Sequence, residues 1–169
     1  MSKATPAEPA LRELVDLRLR RLSTAIDGLD QRAALGLGVN RTDLRLLDLL
    51  AQGGPQSPAQ LGRAQGLSSG GMTVAIDRLS QLGYVTRRPH PKDRRSLLVE
   101  LTPLLWERAE PIFGALQLQM RELLLRYPLE QLLELDQFLL SWERAITAAG
   151  RPQEMGPAPG SRPLADPGP

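Results

Sequence analysis

Between Ser57 and Gly83 the chain is punctuated so closely that little other than a pair of short helices fits it. Ser57 is placed to cap a helix, Pro58 suits its first position, and Gln60 completes an S-x-x-Q capping box, in which side-chain and backbone donors are satisfied reciprocally. That helix stops at Gly66. After Leu67, either Ser68 or Ser69 caps a second helix, GGMTVAIDRLSQL, and Gly83 closes it as the residue free to turn left-handed. Two short helices joined by a tight glycine-containing turn make a helix-turn-helix arrangement.

Two strand-like pieces follow directly. YVTRR (84–88) is one and SLLVELT (96–102) the other, with Leu97, Val99 and Leu101 on one face by period-two alternation and therefore expected in the core. Between them PHPKDR (89–94) is too polar to bury and makes the turn, with Pro89 and Pro91 stiffening its approach. A β-hairpin attached behind a helix-turn-helix is a wing, so residues 42–102 are expected to form a winged helix-turn-helix.

The flanks read as helices. Leu11, Val15, Leu19, Leu22, Ile26 and Leu29 step by three and four, an amphipathic stripe that Gly36 and Gly38 are expected to end. Thr42 is placed to cap DLRLLDLLAQ, and GGP at 53–55 terminates that helix. Thr102-Pro103 opens another, with Leu105, Ala109, Ile112, Leu116, Met120 and Leu123 as its stripe and Pro111 expected to kink or interrupt it. Tyr127-Pro128 starts a last helix carrying Leu132, Leu135, Leu139, Trp142 and Ile146 on one face. Residues 1–9 and the Pro- and Gly-rich stretch 149–169 are expected to be disordered, leaving 10–148 as the folded domain.

The first and last helices present broad apolar stripes with too little remaining protein to cover them. Apolar area contributes roughly 25 cal/mol per Å2 on burial, so leaving these stripes wet is costly. The helices in 10–35 and 103–148 are therefore expected to pack against a second copy around a two-fold axis, with packing back onto the winged domain as the alternative. The expected fold class is mainly α: a winged helix-turn-helix with a small hairpin wing, flanked by N- and C-terminal dimerisation helices.

Inventory narrows the function. The 169 residues contain no cysteine, and His90 is the only histidine. That removes disulfides, thiolate metal sites and cysteine nucleophiles, and leaves few routes to acid–base catalysis, so neither an enzyme nor a cofactor is expected. No apolar run approaches the ~20 residues of a membrane span. The N-terminus lacks the apolar block of a secretion signal, so a cytoplasmic protein without membrane contact is expected.

Charge points to a polyanion. Residues 78–95 hold six cations against the single acid Asp93, a net +5, although the whole chain is only +2. Five of those cations, Arg87, Arg88, Lys92, Arg94 and Arg95, lie on the hairpin. Projected at 100° per residue, the second short helix gathers Met72, Ala75, Ile76, Leu79 and Leu82 on a core face. Gly70, Val74, Asp77 and Gln81 point the other way, with Thr73 and Arg78 at the edges. Its outward N-terminal end, Ser69, Gly70 and Thr73, is small enough for a close approach, and the helix dipole favours phosphate there. An ordinary amphipathic helix with a glycine-weakened first turn would look the same. Arg78 suits either a phosphate contact or a salt bridge with a neighbouring acid. On the hairpin, Asp93 is placed to accept turn amides and to orient the Arg95 guanidinium, which suits a narrow minor groove.

The stretch DRLSQLGYVTRRPHPKDRRSLLVELT resembles the signature of the multiple-antibiotic-resistance regulator (MarR) family of bacterial winged-helix repressors. The family pattern is carried by Asp77-Arg78-Leu79, Gly83, Asp93-Arg94-Arg95 and Leu101-Thr102, with LSSGGMT at 67–73 resembling the opening of its recognition helix. The resemblance covers residues 10–148. It implies a homodimer on a roughly palindromic duplex DNA site, with recognition helices in major grooves and wings in the flanking minor grooves. By position it makes Arg95 the minor-groove finger and Asp93 its support, and puts Ser69, Gly70, Thr73 and Val74 at base and phosphate contacts. Ser57, Ser68, Arg78, Arg87, Arg88, Lys92 and Arg94 complete the candidate DNA surface. It further implies release by a small, often aromatic or phenolic effector bound between the winged domain and the dimer helices; Trp106 is expected near that cleft, as a core residue more than a ligand contact. Release by cysteine oxidation does not transfer to a chain without cysteine. The competing reading is a winged-helix module that docks a protein and does not bind DNA, for which Val74 is the one apolar hint on the outward face.

Overall fold

In the computed structural model, which describes residues 8–91 and 96–149, the elements run α1 (Glu8–Leu37), α2 (Arg41–Gly53), α3 (Pro58–Gln65), α4 (Ser69–Gln81), β1 (Val85–Pro89), β2 (Leu97–Leu101), α5 (Pro103–Leu124) and α6 (Leu129–Ala149). They fall into two compact units, one through Gln117 and one from Leu118. Among the described residues, no helix is long and apolar enough to cross a membrane.

Local chemistry explains most boundaries in the first unit. The capping box at α3 is present: the Gln60 amide donates to Ser57 Oγ at 3.3 Å, and the Ser57 amide donates to Gln60 Oε1 at 2.9 Å. Gly66 ends that helix at φ 66° and Gly83 follows α4 at φ 76°, left-handed positions that cost any other residue its Cβ contacts. Ser68, rather than Ser69, caps α4, accepting from the Gly71 amide at 3.2 Å.

Several sequence-based expectations change. The N-cap of α2 is Asn40, whose Oδ1 accepts from the Asp43 amide at 2.9 Å, so Thr42 lies inside the helix. Gly36 does not end α1. The helix runs on to Leu37, and Gly36 instead allows close packing, since a Cβ there would sit 3.0 Å from Ile112 Cδ1 of α5. At its other end α1 is already helical at Glu8 and Pro9, within the stretch expected to be disordered. Pro111, expected to kink or interrupt α5, does not interrupt it, since the helix runs from Pro103 to Leu124.

β1 and β2 pair antiparallel, from Val85 opposite Leu101 to Pro89 opposite Leu97. Gln56 extends this ladder from the loop before α3. It exchanges two backbone hydrogen bonds with Val99, at 3.1 and 2.8 Å, while its side-chain amide donates to the Leu49 carbonyl at 3.1 Å. Burial follows position along the ladder as well as face. Val99 is fully buried and Leu98 buried, whereas Leu97, at the outer end opposite Pro89, is 47% exposed and not core.

The core lies beneath α4. Met72, Ile76 and Leu79 of α4 meet Leu46 of α2, Leu61 of α3 and Val99 in a cluster that also takes Ala33, Ala34 and Leu37 of α1 and Leu105 of α5. The expected core face of α4 holds for Met72, Ala75, Ile76 and Leu79; Leu82, the C-cap residue, is exposed instead. In the second unit α6 buries no residue, and Leu129, Leu133, Phe138, Leu139, Trp142 and Ile146 all stand exposed.

Candidate nucleic-acid interface

α4 is held from behind and open in front. Behind, Arg78 forks onto Asp43 of α2, with Nε to Oδ2 and Nη2 to Oδ1 each at 2.6 Å. Asp43 is 0% exposed, and a charge removed from water in this way is tolerated only with a well-aligned partner. The hydrogen bond to Asp43 holds the Arg78 guanidinium above its usual pKa range. The two readings of Arg78 thus resolve toward the ion pair, although 41% of its side chain remains exposed at the edge of the helix.

In front, Ser69, Gly70, Thr73 and Val74 are exposed, Val74 by 59%. A Cβ built at Gly70 meets nothing within 4 Å, so its missing side chain serves no internal packing. Thr73 Oγ1 donates to the Ser69 carbonyl at 2.9 Å, keeping the hydroxyl close to the helix. Ser57 and Ser68 are the helix caps that aim the N-termini of α3 and α4. A groove of about 610 Å3 runs between the two helices, lined by Ala59, Arg63, Ser69, Met72 and Thr73 among others. Arg63 was not singled out in the sequence because it is a lone cation on a short helix. Only the fold shows that it shares a groove with Ser69 and Thr73.

At the base of the wing the cations are internally paired. Arg87 bonds to Asp77 of α4, and Arg88 to Glu100 of β2. These contacts pin the hairpin to α4 and to itself, and they reduce the free positive charge the two arginines present. Lys92, Asp93, Arg94 and Arg95, with the proposed Asp93–Arg95 pair, lie outside the described residues.

Asp43 is the residue that sequence reading missed. The signal was there: an acid in register with Leu46, Leu47 and Leu50 sits on the buried stripe of α2, where an unpaired carboxylate would be costly.

A second concavity, about 290 Å3, opens along α2 on the α5 side, lined by Leu37, Leu44, Leu47, Leu105, Trp106 and Phe113 together with Asp48 and Glu110. Trp106 is 53% exposed, so it is a wall of this cavity and not a core residue.

A family model described as MarR family matches residues 37–96, the stretch from the end of α1 to the hairpin. The HTH-type transcriptional regulator YcgE of Bacillus subtilis is 34% identical over 113 residues, which is 67% of this chain and 73% of that protein. The HTH-type transcriptional regulator YkoM of the same organism is 42% identical over 65 residues, 38% of this chain and 42% of that protein. The crystal structure of RV1404 from Mycobacterium tuberculosis superposes with a TM-score of 0.57 over 86% of this chain and 98% of that one, at 21% identity, a likeness of fold.

Proposed function

Because this chain belongs to the MarR family, we propose that it is a homodimeric repressor of a palindromic duplex operator, released when a small ligand fills the cavity along α2. The observation that carries this reading is the front of α4: small, exposed, open at Gly70, and braced from behind by a buried ion pair. A helix entering a major groove needs that combination, because base edges are reached only if the backbone comes close and stays oriented. Arg63 lies beside it and is proposed to meet phosphate, and the sequence of the hairpin turn offers Lys92, Arg94 and Arg95 for the flanking minor groove.

Dimerisation is supported by α6, whose apolar side chains have no cover within its own unit. A two-fold dimer would repeat the α4 surface once per half-site. Release is supported by connectivity. Leu44 and Leu47 line the cavity on the same helix that supplies Asp43, so a ligand that displaces α2 displaces the anchor of α4.

Fluorescence anisotropy with a labelled fragment of the gene's own promoter tests the reading. Wild-type affinity is expected to fall steeply between 50 and 200 mM salt, as phosphate neutralisation releases counterions. Gly70→Leu is expected to weaken binding at least about tenfold while melting at or above the wild-type temperature, since glycine in a helix costs roughly 1 kcal/mol. A Gly70→Leu protein that binds like wild type would remove α4 from the groove.

A further inference from the structure

The cavity along α2 has an unbalanced lining. Its floor is apolar, with Leu44, Leu47 and Phe113, and Trp106 offers an exposed ring at the side. The charged residues that line it are both acids, Asp48 from α2 and Glu110 from α5, and no lysine, arginine or histidine lines it. Neither carboxylate has a hydrogen-bond or ion-pair partner among the described residues. Asp48 lies on the rim between this cavity and the neighbouring groove of α2 and α3, which Arg45 also lines, and Arg45 makes no ion pair with it. Burial, and then the nearby charge of Asp30, push the Asp48 carboxyl above the usual carboxylate range, as expected where negative charge lacks a counter-charge. Glu110 lies along α5 over Gly114, where an added Cβ would collide with its carboxylate.

We propose that this cavity selects an organic cation with an apolar, aromatic body, a protonated amine or a quaternary ammonium, over a carboxylate or phenolate. The inference rests on the reading of this cavity as the effector site and adds the chemical class of the effector. A cation gains from both carboxylates and from the electron-rich face of Trp106, whereas an anion meets two like charges and no donor of opposite sign. A bare metal ion fits less well, because no three metal-ligating side chains gather among the described residues. The cavity's 290 Å3 suits a single-ring ligand.

Isothermal titration calorimetry of the full chain with benzyltrimethylammonium, benzyl alcohol and benzoate tests this. The ammonium probe is expected to bind at least about tenfold more tightly than benzoate. The Asp48→Asn/Glu110→Gln variant is expected to lose that preference, with the ammonium probe weakened far more than benzyl alcohol. Equal or tighter binding of benzoate overturns the proposal, as does a preference that survives the variant, or no heat with any of the three probes. The comparison among probes on wild type requires no variant to fold. Promoter binding by the same preparation, with and without the ammonium probe, reads the regulator proposal separately. A preferred cation that leaves DNA bound supports the selectivity and refutes release.

Discussion

α4 and α6 are both amphipathic helices with apolar stripes, yet α4 buries Met72, Ala75, Ile76 and Leu79 while α6 buries no residue. The difference lies in what surrounds each stripe. α4 is short, capped by Ser68, closed by the left-handed Gly83 just beyond its C-cap Leu82, and fixed to α2 by an ion pair, so its apolar face has one place to go. α6 carries larger side chains, including Phe138 and Trp142, and these stand exposed among the described residues. One stripe reports the core of a single chain. The other reports a surface left uncovered, which we propose a second chain covers, and periodicity alone does not tell the two apart.

Breaking the α4 side of this contrast should have the largest effect. Asp43→Ala strips the part-exposed Arg78 guanidinium of both its hydrogen bonds and leaves a hole under α4; we expect a loss of about 3 kcal/mol in urea denaturation. A loss below 1 kcal/mol would mean that the fork does not anchor the helix. Next comes the α6 side. Leu139→Asp combined with Trp142→Asp is expected to raise the dimer dissociation constant at least about hundredfold, roughly 3 kcal/mol, in sedimentation equilibrium. Helical content of the winged unit should persist, because those side chains contribute nothing to its core. A variant that still sediments as a dimer would place the interface elsewhere. Arg87→Ala should matter least: its pair with Asp77 is solvent-exposed, and such pairs contribute about 0–1 kcal/mol. A larger loss would show the wing to be structurally welded to α4 and not merely steadied by it.

The parts of the fold that were legible in the sequence are those decided within a few residues. Ser57 with Gln60, Gly66 and Gly83 announced their helix ends because a cap or a left-handed turn requires those residue types wherever the rest of the chain goes. Reading failed where two local solutions competed or where a distant neighbour decided. Asn40 and Thr42 are both good caps, and the choice went to the one whose oxygen reaches the Asp43 amide. Gly36 looked like a stop and is a contact surface for Ile112, which lies far along the chain. Leu97 obeyed the alternation but sits beyond the helical body that buries Val99. At the candidate interface the exposed face of α4 was correctly drawn, since Ser69, Gly70, Thr73 and Val74 follow from helix geometry alone. Partnerships were not visible from spacing. Arg78 with Asp43, Arg87 with Asp77 and Arg63 beside the α3–α4 groove all depend on elements meeting in space.

The bridge between Gln56 and Val99 has a consequence for how such a surface can diversify. It ties the entry to α3 to the second strand of the hairpin through peptide groups, which every residue but proline supplies equally. The spacing between helix pair and hairpin is therefore written in the main chain, and the side chains on the outer face are free to drift without shifting it. A lineage can rewrite what this surface touches, one residue at a time, while the ruler that sets the distances stays the same.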